Sequence, residues 1–378
     1  MPIGVSKNTN AVGILGVVFV LIALLELSSY VLLRVLTSKS VVFDRQNITQ
    51  DYGEYLAARN LQLGWLNKDA DNHGARRDSS GFAREGPCVD VYGDSFTYGN
   101  EVRDEEAWPS LLSARMRCRV RNFGVNGYGT DQAFIRYRAA RNPAPVVALN
   151  HFSEGIIRNV NQFNNYIYPN FEYAFKPRFV LNSGSLELVE TPIIPRNELE
   201  EFFSKPAAYL TNEYFLPGGS SGVQLARFPY LLNVMRMPEH WNIKPRFSRQ
   251  NPHAQFYSSE HPSGGLEVTL RIMTDFVDDG FKKGILPIVT IIPSCRDFEH
   301  HARYGEFAYG ALSNALRKTG AIFIDFGTEV LKRERSYQSL YYSCSRHMNP
   351  DGNVLMAEIF SEYLQKLPVL SKNSSSTR

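Results

Sequence analysis

The chain has 378 residues, 43% of them hydrophobic and 12% aromatic, enough for one large core or two average domains. Its 41 basic and 38 acidic residues are interspersed and leave a net charge of +3, so there is no electrostatic footprint for nucleic acid. The four cysteines, Cys88, Cys118, Cys295 and Cys344, form no CxxC or zinc-like spacing, so no metal site and no cofactor are expected. Their even number allows two disulfides in an oxidising compartment, with buried free thiols as the alternative.

Gly13 to Leu33 reads GILGVVFVLIALLELSSYVLL, with Glu26 as its only charge. About 20 apolar residues are enough to cross a bilayer as a helix. A retained anchor is expected over a cleaved signal peptide, because the run is long, lacks an A-x-A site and is closed by Arg34. The basic residues Arg34, Lys39 and Arg45 favour a cytoplasmic body, whereas the cysteines favour an exported one. Glu26 is expected to be tolerated toward one end of the span, the alternative being a functional intramembrane carboxylate.

Residues 1–12 read as a tail, 13–36 as a transmembrane signal anchor and 37–84 as a polar linker and lead-in segment. The folded body is expected at 85–367, with an insertion at about 160–262 and a disordered tail at 368–378. Strands are predicted at 88–92, 119–123, 145–149, 285–292 and 321–325, and helices near 107–117, 131–141, 265–282, 304–318 and 353–367. Strand-then-helix alternation favours parallel neighbours with right-handed crossovers. The insertion holds a predicted hairpin at 179–189 and a stretch rich in Pro and aromatics at 197–262. Within it Tyr166, Tyr168, Phe171, Tyr173, Phe175 and Phe179 suggest a small satellite core, or alternatively a cleft that stacks on sugars.

The first strand runs into Gly93-Asp94-Ser95-Phe96-Thr97-Tyr98-Gly99. A serine at the carboxyl end of an α/β strand stands where such folds place ligands and chemistry. Ser95 is therefore a candidate nucleophile, the alternative being an ordinary N-cap serine.

With its flanks this run resembles the first block of the SGNH/GDSL hydrolases, a family named for four blocks carrying Ser, Gly, Asn and His. The stretch 122–132, NFGVNGYGTDQ, resembles the second block, and 347–352, HMNPDG, the fourth. The resemblance implies a three-layer α/β/α sandwich with a mainly parallel sheet of about five strands, flavodoxin-like. It implies Ser95 as nucleophile, His347 as general base, and the backbone N–H groups of Ser95 and Gly127 as oxyanion donors, with Asp94 as a candidate supporting residue.

Two positions depart from the family pattern. The third block places a side-chain amide where Glu154 stands, and Asn159 is the nearest amide, out of register. The acid two or three residues before the histidine is replaced by Cys344 and Ser345. A Ser–His dyad, a remote acid (Asp297 or Asp325) or a degenerate site would each account for that. On the implied fold, Cys88–Cys118 and Cys295–Cys344 are the expected disulfides, the second pinning the histidine loop.

The resemblance implies an envelope serine esterase or O-acyl hydrolase acting on an acylated glycan or small ester. It would be a single-pass membrane protein with a periplasmic or extracellular body. An O-acyltransferase using the same residues and a non-catalytic envelope binding or assembly protein are the alternatives.

Overall fold

A computed structural model describes residues 8–39, 41–45, 52–67, 69–71, 74–82, 86–169, 174–219, 221–222, 226–248, 250–333 and 335–367. The expected 368–378 tail, Phe171 and Tyr173 lie outside the described residues. The central sheet has five strands: β1 Pro87–Tyr92, β2 Arg119–Asn122, β3 Val146–Phe152, β6 Leu286–Ile292 and β7 Ile322–Asp325. Their order is β2-β1-β3-β6-β7, and every neighbouring pair is parallel. β3 is buried along its whole length and β6 at all but its first residue. Strands covered on both faces need no polar alternation, which is why VVALNHF and LPIVTII read as runs.

Helices α3 Trp108–Met116, α9 Phe326–Lys332 and α10 Pro350–Gln365 pack as one layer. Helices α4 Thr130–Arg138, α6 Gly265–Lys282 and α8 Gly310–Arg317 form the other. The order turns back on itself between β1 and β3. Loops leaving the carboxyl ends of these two strands diverge, and the crevice between them is where open α/β sheets bind ligands. Ser95 follows β1 directly and opens the four-residue helix α2, Ser95–Tyr98.

The elements depart from expectation in places. β3 continues to Phe152, and the 304–318 helix starts only at Gly310. The helices left unpredicted include α7 Cys295–Tyr304 and α9, both hydrophilic or short and both started by a cap: the Ser294–Asp297 capping box and Asp325. β4 Arg178–Asn182 and β5 Ser185–Val189 make the hairpin, turning at Ser183 and Gly184 with φ of 49° and 79°. Two left-handed turn residues match the twist of the paired strands.

The insertion's aromatics are not a satellite core. Tyr166, Phe175 and Phe179 are buried and join Phe43, Phe163 and Phe202 in the main core. The lead-in segment is tied to the body as well: Trp65 Nε1 donates to Asn126 O at 2.8 Å, and Tyr128 Oη donates to Trp65 O at 2.6 Å.

Helix α1, Asn8–Ser38, contains a 28-residue stretch from Ala11 to Ser38 long and apolar enough to cross a membrane. Its last turns pack on helix α5, Tyr230–Arg236, of the insertion. Glu26 accepts hydrogen bonds from the N–H groups of Tyr230 and Leu231 at 2.8 and 3.3 Å. Its carboxylate thus satisfies the open amides at the start of α5.

Candidate active site

The serine turn is built by its own neighbours. Asp94 caps α2, its Oδ1 accepting from Phe96 N at 3.0 Å, and Gly99 closes the turn at φ 79°. As the first residue of α2, Ser95 has a backbone N–H with no intrahelical acceptor. Gly93 and Gly124 have no room for a side chain. A Cβ on Gly93 would lie 2.1 Å from Thr97 Oγ1, and one on Gly124 would lie 2.3 Å from Tyr98 N. The glycine loop therefore rests directly on the serine turn.

Arg158 locks the two together. Its Nη1 donates to Asp94 Oδ2 at 3.0 Å and to Tyr128 O at 2.9 Å. Burial pushes the Asp94 carboxyl up, and the Arg158 charge pulls the other way. Behind Arg158, the buried Lys176 Nζ pairs with Asp131 Oδ2 and donates to the carbonyls of Arg158, Asn161 and Pro177 at 2.9, 3.1 and 2.9 Å. Burial pushes the Lys176 amine down and the Asp131 carboxyl up. Lys176→Met leaves Asp131 buried without its partner and is expected to cost roughly 3–5 kcal/mol. Urea denaturation of the variant checks this, and a loss under 1 kcal/mol would contradict it.

His347 comes from the loop before α10. Asn349 caps that helix, accepting from Gly352 N at 3.0 Å. A Cβ on Gly352 would lie 2.3 Å from Leu340 O, so the backbones of 340 and 352 meet only because this residue is glycine. The Cys295–Cys344 disulfide, with Cα atoms 4.9 Å apart, ties the same loop to α7. Cys88–Cys118 joins the starts of β1 and β2 with Cα atoms 6.0 Å apart. Both pairings agree with the expected ones. Cys295, Glu299 and Cys344 cluster, but the two sulfurs are bonded to each other and offer no thiolate for a metal.

These constraints place His347 Nε2 2.9 Å from Ser95 Oγ. The imidazole rests against Phe96, ring centroids 4.9 Å apart, and Phe96 stacks on Phe152 at the end of β3. The other ring nitrogen, Nδ1, is 3.3 Å from Glu101 Oε2, within ion-pair distance but without hydrogen-bond alignment. Glu101 Oε2 also accepts from His347 N at 3.1 Å, and Oε1 accepts from Arg346 Nε at 3.1 Å. Burial raises the Glu101 carboxyl, but the hydrogen bonds from the His347 backbone and Arg346, together with the facing His347 ring, outweigh it and hold the carboxyl below its ordinary value. Glu101 sits at φ 67°, in the left-handed region that non-glycine residues seldom adopt. Such strain tends to gather where a site over-determines its backbone.

Glu101 was missed by the sequence reading. It stands six residues after the serine, not beside the histidine, and only its neighbour pattern in space reveals it. The two acids proposed instead are occupied elsewhere. Asp325 caps α9 and accepts from Tyr309 Oη at 3.0 Å, Ser313 Oγ at 2.8 Å and Arg317 Nη2 at 3.1 Å. Asp297 accepts from Ser153 Oγ, Ser294 N and Asn251 Nδ2, the last two at 2.8 and 3.0 Å.

Burial pushes the Asp297 carboxyl up to about 6, with the Ser153 and Ser294 hydrogen bonds opposing. A carboxyl raised on folding keeps its full stabilising balance below its unfolded value near 3.9 and loses it as pH rises through about 6. Asp297→Asn is expected to flatten that slope, so its stability relative to wild type should be greater at pH 7 than at pH 4. Urea midpoints at the two pH values measure it, and parallel profiles would refute it.

Neither third-block candidate offers an amide to the site. Asn159 is buried, its Oδ1 accepting from Asp131 N at 3.2 Å and its Nδ2 donating to Thr269 Oγ1 at 2.8 Å. The Glu154 carboxylate lies 3.8 Å from Arg296 and 3.9 Å from His253 Nδ1.

A part-buried Ser–His pair with a carboxylate at the second ring nitrogen, on the switch-point crevice of a parallel α/β sheet, is a geometry in which a serine hydroxyl can be activated. No family model matches the chain, and no curated protein matches it. Among solved structures the chain is similar to a member of the lipolytic protein G-D-S-L family from Veillonella parvula. That likeness has 11% identity, covers 75% of this chain and 100% of the other, and has a TM-score of 0.35. It is also similar to a protein from Lactobacillus plantarum at 10% identity, covering 74% and 97%, with a TM-score of 0.36. At these values the likenesses carry no argument about chemistry, which rests on the residues above.

Proposed function

We propose that the protein is a serine esterase or O-acyl hydrolase of the SGNH type, anchored in a membrane by α1. The observation that carries this reading is the 2.9 Å contact from His347 Nε2 to Ser95 Oγ with Glu101 behind the ring. A serine hydroxyl is a weak nucleophile until an adjacent base takes its proton. His347 Nε2 removes the proton as Oγ attacks the ester carbonyl. The resulting oxyanion is held by the N–H groups of Ser95 and Gly127, whose loop is fastened to the serine turn through Arg158. His347 then protonates the departing alkoxide, leaving an acyl-Ser95. Water, deprotonated by His347, attacks that ester; the acyl–Oγ bond breaks, His347 returns the proton to Ser95 Oγ, and the acid is released. Glu101 orients the ring and balances the imidazolium formed in each half-reaction.

The same acyl-enzyme could be resolved by a sugar hydroxyl, which would make the protein an O-acyltransferase. A non-catalytic reading has two supports, the missing acid before His347 and the carboxylate of Glu154 at the amide position, and the placement of Glu101 speaks against the first. Two disulfides favour a body outside the cytoplasm, where an acylated envelope glycan is the substrate class we favour.

The test is labelling of the full chain in detergent with a fluorophosphonate. An adduct on Ser95 that is lost in His347→Ala supports the reading, and an unlabelled folded protein refutes it. Acetyl-ester turnover with and without sugar acceptors then divides hydrolase from transferase.

A further inference from the structure

Outside α1, the described apolar side chains that are most exposed fall in one short stretch. Phe228 is 71% exposed, Met235 68% and Phe247 82%, with Leu232 at 43% beside them. Isolated exposed hydrophobics are ordinary, but these four lie within one short stretch of chain. This group belongs to the segment that packs on α1. Leu33 of α1, Val42 and Met237 form a small core with Ala226, Tyr230, Val234 and Ile243 around it, and Tyr30 meets the Tyr230 ring edge-on at 5.1 Å.

The length of α1 indicates what covers the exposed side chains. Ala11 to Leu25 are exposed all round, 15 residues or about 22 Å of helix. A bilayer's hydrocarbon core is about 30 Å thick and takes about 20 residues. Counted from Ala11, the span reaches Tyr30, beyond Glu26 and level with the start of α5. The body cannot bear on α1 at Glu26 and Tyr30 without entering the membrane boundary by several ångströms. That is the depth at which interfacial helices lie, about 5–10 Å. The Glu26 carboxylate at that level is spent on two backbone amides of α5, which suits a low-dielectric setting. Arg34, paired with Asp44 at 2.6 Å, Arg45, paired with Glu200 at 2.9 Å, and Arg227 line a cavity of about 570 Å3 at the same junction, with Tyr30, Phe228 and Tyr230. Cations and aromatic rings at the end of a span fit the headgroup level.

We infer that the exposed face of residues 226–247 forms an in-plane membrane element, with Phe228, Leu232, Met235 and Phe247 in the acyl boundary and Arg227 at the headgroup level. The inference rests on the anchoring part of the proposed function. The body would then be seated on the bilayer through a second contact beside its anchor.

Depth measurement by spin labelling of the full chain in phosphatidylcholine–phosphatidylglycerol vesicles tests it. Labels are placed by Phe228→Cys, Met235→Cys and Phe247→Cys. Leu21→Cys serves as the in-bilayer reference and Ser183→Cys, at the hairpin turn, as the aqueous one. The expected result is that all three sites favour oxygen over a water-soluble nickel chelate, as Leu21 does, whereas Ser183 favours the chelate. If Leu21 is lipid-exposed but the three sites match Ser183, the in-plane element is refuted and the anchor stands. If Leu21 itself favours the chelate, the anchor is refuted and the in-plane element falls with it.

Discussion

Ser95→Ala and His347→Ala are each expected to lower kcat for a short acyl ester on the order of 10^5–10^6-fold, and the double variant to lose no more than either single one. The two side chains act as one unit through the 2.9 Å contact, so removing either removes the activated nucleophile. A loss of that size corresponds to about 7–8 kcal/mol of transition-state stabilisation. The residual rate should come from the two backbone donors, which neither substitution touches. Steady-state kinetics on the three variants decide it. Losses that multiply in the double variant would mean that the two residues act independently, and the proposed site would be wrong.

Glu101→Gln is expected to lower kcat by about 100-fold with little change in KM. The glutamine oxygen can still accept from the His347 backbone N–H, so the loop should stay in place, while the ring loses the charge facing Nδ1. A kcat within twofold of wild type would remove Glu101 from the mechanism and leave a dyad. The pH behaviour separates positioning from folding. Because the Glu101 carboxyl is held below its ordinary value, its contribution to stability is complete above the unfolded value near 4.3 and is lost as pH falls through the lowered one. The stability gap between wild type and Glu101→Gln should therefore stay constant at neutral pH and close only in acid. A gap that opens or closes near pH 7 would point to another group.

The acid position shows how far local sequence reaches. The serine turn and the histidine loop are local objects: an Asp cap, glycines that no side chain could replace, and Asn-Pro at a helix start. Each leaves a mark within a few residues, and so does the α/β alternation. The link from Glu101 to His347 spans 246 residues and depends on a left-handed backbone angle and on where the disulfide holds the loop. Arg158 is of the same kind, bridging Asp94 and the Tyr128 carbonyl from a loop expected to supply an amide.

By itself the sequence marked the strands, the longer helices of the body, a candidate nucleophile and base, and the apolar span; the disulfide pairs followed only from the implied fold. Hydrophobic period, capping chemistry and glycine punctuation act over one turn or one strand, so they are written in consecutive residues. Only the tertiary structure decided which carboxylate faces the imidazole, what satisfies Glu26, and that the insertion's aromatics join the main core. Those outcomes depend on which distant surfaces the sheet order and the packing of α1 on α5 bring within 3–5 Å.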